Sequence, residues 1–91
     1  MNKPKLGQIV YISFGDWICK DTVLMVGKNS FACEMQFDST VFNLFRRPIQ
    51  FDEYGMTWFN TLTDAKKSID LEDGQRIVKL DDDYWKVESI E

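Results

Sequence analysis

Alternation of apolar and polar residues is the clearest pattern along this chain, and it is cleanest over residues 31–37. One phase holds Phe31, Cys33, Met35 and Phe37, and the other holds Ala32, Glu34 and Gln36. Successive side chains of a strand point to opposite faces of a sheet. This segment is therefore predicted to be a strand with one packed face and one face in water.

Further segments rich in β-branched and aromatic residues also predict short strands. They cover residues 8–14, 17–26, 49–52, 75–80 and 84–90, with a short extended piece at 57–59. The connections at 15–16, 27–30, 54–55 and 81–83 carry the glycine, asparagine and aspartate typical of turns. Residues 41–45 are apolar but short, and their pattern fits either a strand or a helical turn.

One helix is predicted over residues 62–71, with Thr61 as its cap. Thr61 precedes Asp64 by three positions, a variant of the capping box. Leu62, Ala65 and Ile69 recur at helical spacing and would share one buried face. The element order is then β-β-β-β-α-β-β in a single domain over residues 1–91. A small SH3-like barrel or a curled antiparallel sheet is the fold expected from this order.

Composition places the chain among globular proteins, because 44% of its 91 residues are hydrophobic. No apolar run is long enough to cross a bilayer, and the basic residues near the N-terminus are not followed by the apolar stretch of a signal peptide. A cytoplasmic protein is expected. Cys19 and Cys33 are too few for a disulfide scaffold and are expected to be buried thiols.

Charge is distributed unevenly along the chain. Residues 1–49 carry six basic and four acidic side chains, whereas residues 50–91 carry five basic and eleven acidic ones. An acidic surface repels nucleic-acid phosphates unless basic residues cluster locally. The C-terminal half is therefore expected to favour a basic partner.

The residue types present exclude several common kinds of catalytic site. The chain has no histidine, which excludes the usual general base and the usual triads. Two cysteines without histidine cannot close a zinc site, and the five glycines are scattered singly rather than forming a phosphate loop. Asp81, Asp82 and Asp83 lack the ligand spacing of a calcium loop and are expected to be a solvated hairpin loop. No enzyme, cofactor or metal site is predicted.

Aromatic and arginine side chains cluster in residues 41–59, and these types are enriched at interface hot spots. The predicted binding residues are Phe42, Phe45, Arg46, Arg47, Tyr54 and Trp58. The alternative is that most of these rings fill the core while the arginines are solvated. Thirteen aromatic side chains are many for so small a core, so some rings are expected at the surface.

Two segments carry a resemblance to a known group. Residues 26–31 read VGKNSF, and residues 52–67 read DEYGMTWFNTLTDAKK. Together they resemble small uncharacterised proteins encoded by phages and prophages of Gram-positive bacteria, over about a quarter of this chain. The resemblance implies a bacterial host cytoplasm and no particular activity. It also implies a protein made to bind host machinery, including an inhibitor of host defence.

Three binding hypotheses follow. The first is a non-enzymatic module that binds a host protein through its aromatic residues. The second is single-stranded nucleic-acid binding, in which Phe42, Phe45, Arg46 and Arg47 would stack on bases and contact phosphates, helped by Lys3 and Lys5. The third is duplex mimicry by the eight acidic residues from Asp70 onward. We rank the first highest, and we rank duplex mimicry below the other two because Arg76, Lys79 and Lys86 interrupt its acidic row.

Overall fold

Seven short strands, one 3₁₀ turn and one short helix make up the described part of the protein, residues 2–34 and 48–90 of a computed structural model. The strands are β1 (Ile9–Phe14), β2 (Trp17–Val26), β3 (Ser30–Cys33), β4 (Ile49–Gln50), β5 (Trp58–Phe59), β6 (Gln75–Lys79) and β7 (Tyr84–Ser89). The helix α1 covers Leu62–Lys67, and the 3₁₀ turn covers Phe51–Glu53. The strands form one curled antiparallel sheet, which confirms the predicted mostly β class.

The hairpin of β1 and β2 is the centre of the sheet. Phe14 pairs with Trp17, so only Gly15 and Asp16 connect the two strands. Gly15 has a φ of +59°, a conformation that glycine adopts without steric cost. The predicted bounds of β2 are confirmed, and β1 begins one residue later than predicted.

Strand β2 changes partner along its second edge. Near its beginning, Trp17, Ile18 and Cys19 pair with β7. Near its end, Val23, Met25 and Val26 pair with β3, with a register shift between Val23 and Met25. The two neighbours therefore separate from β2 at residues 20–22, and a gap opens between them.

Both faces of the central hairpin are covered by apolar side chains. Ile12 pairs with Trp58 and Tyr11 pairs with Phe59, so the two rings of β5 lie on opposite faces. The inner core contains Val10, Ile12, Val23, Phe31, Cys33, Ile49, Phe51 and Trp58. The outer core contains Ile18, Phe59, Ala65 and Trp85, with Tyr11, Leu62, Ile69 and Ile77 packed against them. The strand pairs thus lie between two cores rather than between a core and water.

Helix α1 begins as predicted and ends earlier than predicted. The hydroxyl of Thr61 accepts a hydrogen bond from the Asp64 N–H at 3.1 Å, which confirms Thr61 as the cap. The predicted end at residue 71 is wrong, because the Ser68 hydroxyl donates to the Ala65 carbonyl at 2.7 Å and the last turn tightens there. Among the described residues, no helix is long and apolar enough to span a membrane.

Three strand predictions also need correction. The predicted order has four strands before the helix, whereas five precede it, because the short extended piece pairs with β1 and forms β5. The predicted strand over 49–52 stops at Gln50, because the Gln50 N–H donates to the Glu53 carboxylate at 2.7 Å and the chain turns into the 3₁₀ segment. Ala32 was predicted on a wet face and is buried. It lies opposite Met25 in the ladder, and cross-strand neighbours share a face, so the longer side chain can cover its methyl group. The predictions for residues 35–37 and 41–45 fall outside the described residues.

Candidate functional site

Four of the six predicted binding residues lie outside the described residues: Phe42, Phe45, Arg46 and Arg47. The other two, Tyr54 and Trp58, lie close together beside the 3₁₀ turn. Their ring centroids are 4.8 Å apart, with the ring planes at 76°.

Trp58 is a core residue rather than a surface anchor. Its side chain is 0% exposed, its ring lies edge-on to Phe31 at 5.1 Å, and its Nε1–H donates to the Phe51 carbonyl at 3.2 Å. Pairing with Ile12 directs the ring to the inner face of the sheet. The prediction that Trp58 contacts a partner is therefore wrong. Tyr54 is half-buried against Trp58 and keeps part of its ring at the surface.

Both cysteines are buried free thiols, as the sequence predicted. Burial raises the pKa of Cys19 well above its ordinary value, and the nearby carboxylates of Asp21 and Asp83 raise it further. Burial, followed by the charge of Asp21, raises the pKa of Cys33 in the same direction. Both thiols stay protonated near neutral pH, so neither is poised as a nucleophile.

These two thiols predict a loss of stability at alkaline pH. A thiol whose pKa is higher in the folded state stabilises the fold fully below its unfolded pKa, about 8.5, and less as the pH rises above it. We expect the free energy of unfolding to fall by about 1.4 kcal/mol per thiol for each pH unit above about 8.5. Urea unfolding between pH 7 and 10 measures this slope. The Cys19→Ala and Cys33→Ala variants should each show a shallower slope, and an unchanged slope in both would contradict the prediction.

A partly enclosed cleft of about 200 Å³ lies at the gap in β2. Its lining residues are Ile9, Lys20, Asp21, Thr22, Glu34 and Asp83. The Lys20 N–H donates to the Asp83 carbonyl at 2.8 Å, and the Glu34 N–H donates to the Thr22 carbonyl at 3.0 Å. These two bonds tie the hairpin loop and the end of β3 to opposite ends of the gap. We refer to this feature as the acidic cleft.

Asp21 lies at the base of the acidic cleft and is only 3% exposed. Its Oδ1 accepts a hydrogen bond from the Thr22 N–H at 2.8 Å. Glu34 is exposed and Asp83 is half-buried, so these two acidic residues and the buried Asp21, from distant parts of the chain, line the described part of the cleft together with Lys20. Such a lining attracts a cation, and a guanidinium can donate paired hydrogen bonds to a carboxylate. Within residues 2–34 and 48–90, no group of three ligand-type side chains could hold a metal ion.

Apolar side chains are exposed beside the acidic cleft. Leu24, Met25 and Val26 end β2 beyond the gap, and Ile9 forms part of the cleft itself. The Gly7 N–H donates to the Val23 carbonyl at 2.9 Å, which holds the exposed Leu6 near the same end of β2. Exposed apolar surface next to polar groups is typical of interaction sites.

Sequence reasoning overlooked Asp21, although a signal for it exists. Asp21 is in phase with Cys19 and Val23 in β2, so strict alternation places its carboxylate on the buried face. A charged residue in an apolar phase is informative because burial of an unpaired charge is costly. The prediction of a hairpin loop at 81–83 is confirmed, but its approach to β2 depends on long-range pairing that the local sequence does not specify.

Comparisons with known proteins give no match: no family model, no curated protein and no solved structure matches this chain. The function is therefore inferred from the acidic cleft, the surface beside it and the distribution of charge.

Proposed function

We propose that this protein is a non-enzymatic protein-binding module whose acidic cleft accepts an arginine or lysine side chain of a host protein. The observation that carries the proposal is the lining of the cleft. Among the described residues, Asp21, Glu34 and Asp83 line the cleft together with one basic residue, Lys20. A partner cation would replace water in a partly enclosed site, where charge pairs are stronger than on an open surface.

The surroundings of the cleft support a protein partner over a small ion. The exposed apolar side chains of Leu24, Met25 and Val26 adjoin the cleft, and interfaces combine an apolar contact area with a polar rim. The excess of carboxylates in residues 50–91 would also speed encounter with a basic surface. Protonated thiols at Cys19 and Cys33 fit a role in binding rather than in covalent chemistry.

The proposal also includes the cellular location of the protein and a more specific assignment of its fold. The resemblance to phage and prophage proteins favours a bacterial cytoplasm and a host protein as partner, which includes inhibition of host defence. The curled sheet around the inner core is consistent with an SH3-like barrel, and we propose that finer assignment as well.

The cleft is tested by removing its charges without changing its shape. We expect the Glu34→Gln and Asp83→Asn double variant to bind a short arginine-containing peptide about tenfold more weakly, because two charge pairs are lost. Titration of isotope-labelled protein would give the affinity, and shifts at Lys20, Thr22 and Glu34 would locate the peptide.

The matched control is Asp16→Asn, which removes one carboxylate from the exposed turn at the other end of β2. It should bind the peptide like the wild type. Equal weakening in the control would mean that net charge alone attracts the peptide and would contradict a cleft-specific role. Displacement of a captured host protein by duplex DNA would instead favour duplex mimicry.

A further inference from the structure

Strand β6 has a hydrogen-bonding edge that no described strand covers. It pairs with β7 on one side, and no other described strand pairs with it. An antiparallel ladder alternates between hydrogen-bonded and non-hydrogen-bonded residue pairs, so each residue directs its N–H and C=O to one side only. The open side is therefore defined by which residues of β6 bond to β7.

Bonds at both ends of the ladder fix this alternation. The Leu80 N–H donates to the Tyr84 carbonyl at 2.9 Å, and the Ile90 N–H donates to the Gly74 carbonyl at 2.6 Å. With the observed register, Arg76 and Val78 then bond to β7. The other side of β7 agrees, because the Val87 N–H donates to the Asp16 carbonyl, towards β2.

The backbone groups of Ile77 and Lys79 consequently point away from β7, as does the carbonyl of Gln75. The Gln75 N–H is already used, since it donates to the Glu72 carbonyl at 3.0 Å. No hydrogen bond within the described ranges reaches the backbone of Ile77 or Lys79 from the open side. Arg76 and Lys79 are exposed and the remaining residues of the strand are half-buried, so another strand can approach.

Carboxylates flank this open edge at both ends. Asp70, Glu72 and Asp73 precede β6, and Asp81, Asp82 and Asp83 follow it. Within the strand, Arg76 and Lys79 carry the opposite charge. An added strand would therefore meet negative charge at its two ends and positive charge near its middle.

We propose that β6 accepts an extended segment of a partner protein as an added strand, with a neutral apolar middle and lysine or arginine at both ends. This inference rests on the proposed protein-binding function and names the segment that such a partner would present. The outward groups of Ile77 and Lys79 supply the main-chain bonds of strand addition. The flanking carboxylates supply the preference for basic ends.

A second copy of this chain fits the edge poorly. Antiparallel pairing centred on Ile77 would place Asp73 opposite Asp81 of the second copy and Glu72 opposite Asp82. Like charges directly opposite each other destabilise a strand pair. The charge distribution thus favours a different chain over self-association.

The edge is tested with Lys79→Pro, which removes an outward N–H but no bond to β7. Proline is tolerated at such positions of an edge strand. The probe is a synthetic peptide with lysines at both ends and alternating valine and threonine between them. We expect Lys79→Pro to weaken its binding at least tenfold, whereas Lys79→Ala, which keeps the N–H, binds like the wild type. Equal binding by both variants would overturn the proposal.

Amide exchange in the wild-type protein gives a second readout that needs no variant. Saturating peptide should slow exchange at Ile77 and Lys79 about tenfold or more and leave Arg76 and Val78 unchanged, since these already bond to β7. A peptide that is N-methylated at the amides facing β6 keeps its charge but should give no protection. Protection that instead rises with protein concentration alone would indicate self-association and overturn the proposal.

The two tests separate this edge from the acidic cleft. If Lys79→Pro loses the valine–threonine peptide while the Glu34→Gln and Asp83→Asn variant still binds the arginine peptide normally, the edge is supported and the cleft is wrong. If the cleft variant fails while Lys79→Pro binds the valine–threonine peptide normally, the cleft is supported and the edge is wrong.

Discussion

Replacement of Trp58 by alanine is expected to lower the free energy of unfolding by about 3–5 kcal/mol. The ring is fully buried in the inner core, where it contacts Phe31 and Tyr54 edge-on. Its removal leaves a cavity and also leaves the Phe51 carbonyl without the Nε1–H that it accepts. Urea unfolding followed by circular dichroism measures the change, because Trp17 and Trp85 would complicate a fluorescence signal.

The conservative variant Trp58→Phe separates the two causes of this loss. It keeps most of the ring contacts and removes only the hydrogen bond and part of the volume, so a smaller loss of about 1–3 kcal/mol is expected. A Trp58→Ala protein with wild-type stability but reduced partner binding would contradict the burial of this ring and restore it as a surface anchor.

Replacement of Trp85 by alanine is expected to cost about 3–5 kcal/mol through the outer core. Trp85 is buried, pairs with Ile18 across the ladder and lies edge-on to Tyr11, with ring centroids 6.0 Å apart. Its ring thereby joins β7 to the central hairpin. We expect a lower urea midpoint together with faster amide exchange in β6 and β7.

Trp17 provides the matched comparison on the same pair of strands. Its ring is only half-buried and lies under the Lys86 ammonium group, 5.1 Å from the ring centroid. An exposed cation–π contact contributes about 0.5–1 kcal/mol, so Trp17→Ala should cost much less than Trp85→Ala. Similar losses for the two variants would mean that the outer core contributes little to stability.

Local signals in the sequence predicted most of the strands and the start of the helix. The bounds of β2 follow from its β-branched residues and from the glycine turn before it, and Thr61 caps α1 through a bond only three residues long. The burial of Trp58 could not be predicted in the same way. It depends on pairing with residues far along the chain, and an aromatic-rich segment is equally compatible with a core or an interface.

The acidic cleft was even harder to predict from local sequence. Asp21, Glu34 and Asp83 are separated by many residues, and they meet only because β3 and β7 take different positions along one edge of β2. No local pattern encodes where a strand changes partner. The difference in charge between the two halves of the chain is evident from the sequence. The position of the acidic cleft is not.

The burial of both faces of the β1–β2 hairpin has a consequence for how its alignment is chosen. When one face of a strand is hydrophobic and the other is solvated, a register shift of one residue is costly, because every side chain would move to the opposite face. Both faces of this hairpin are hydrophobic, so the energetic cost of a register shift is small. The two-residue turn at Gly15 therefore sets the register. An insertion of one residue in this turn would exchange the side chains of the inner and outer cores. The chain could then fold in an alternative register.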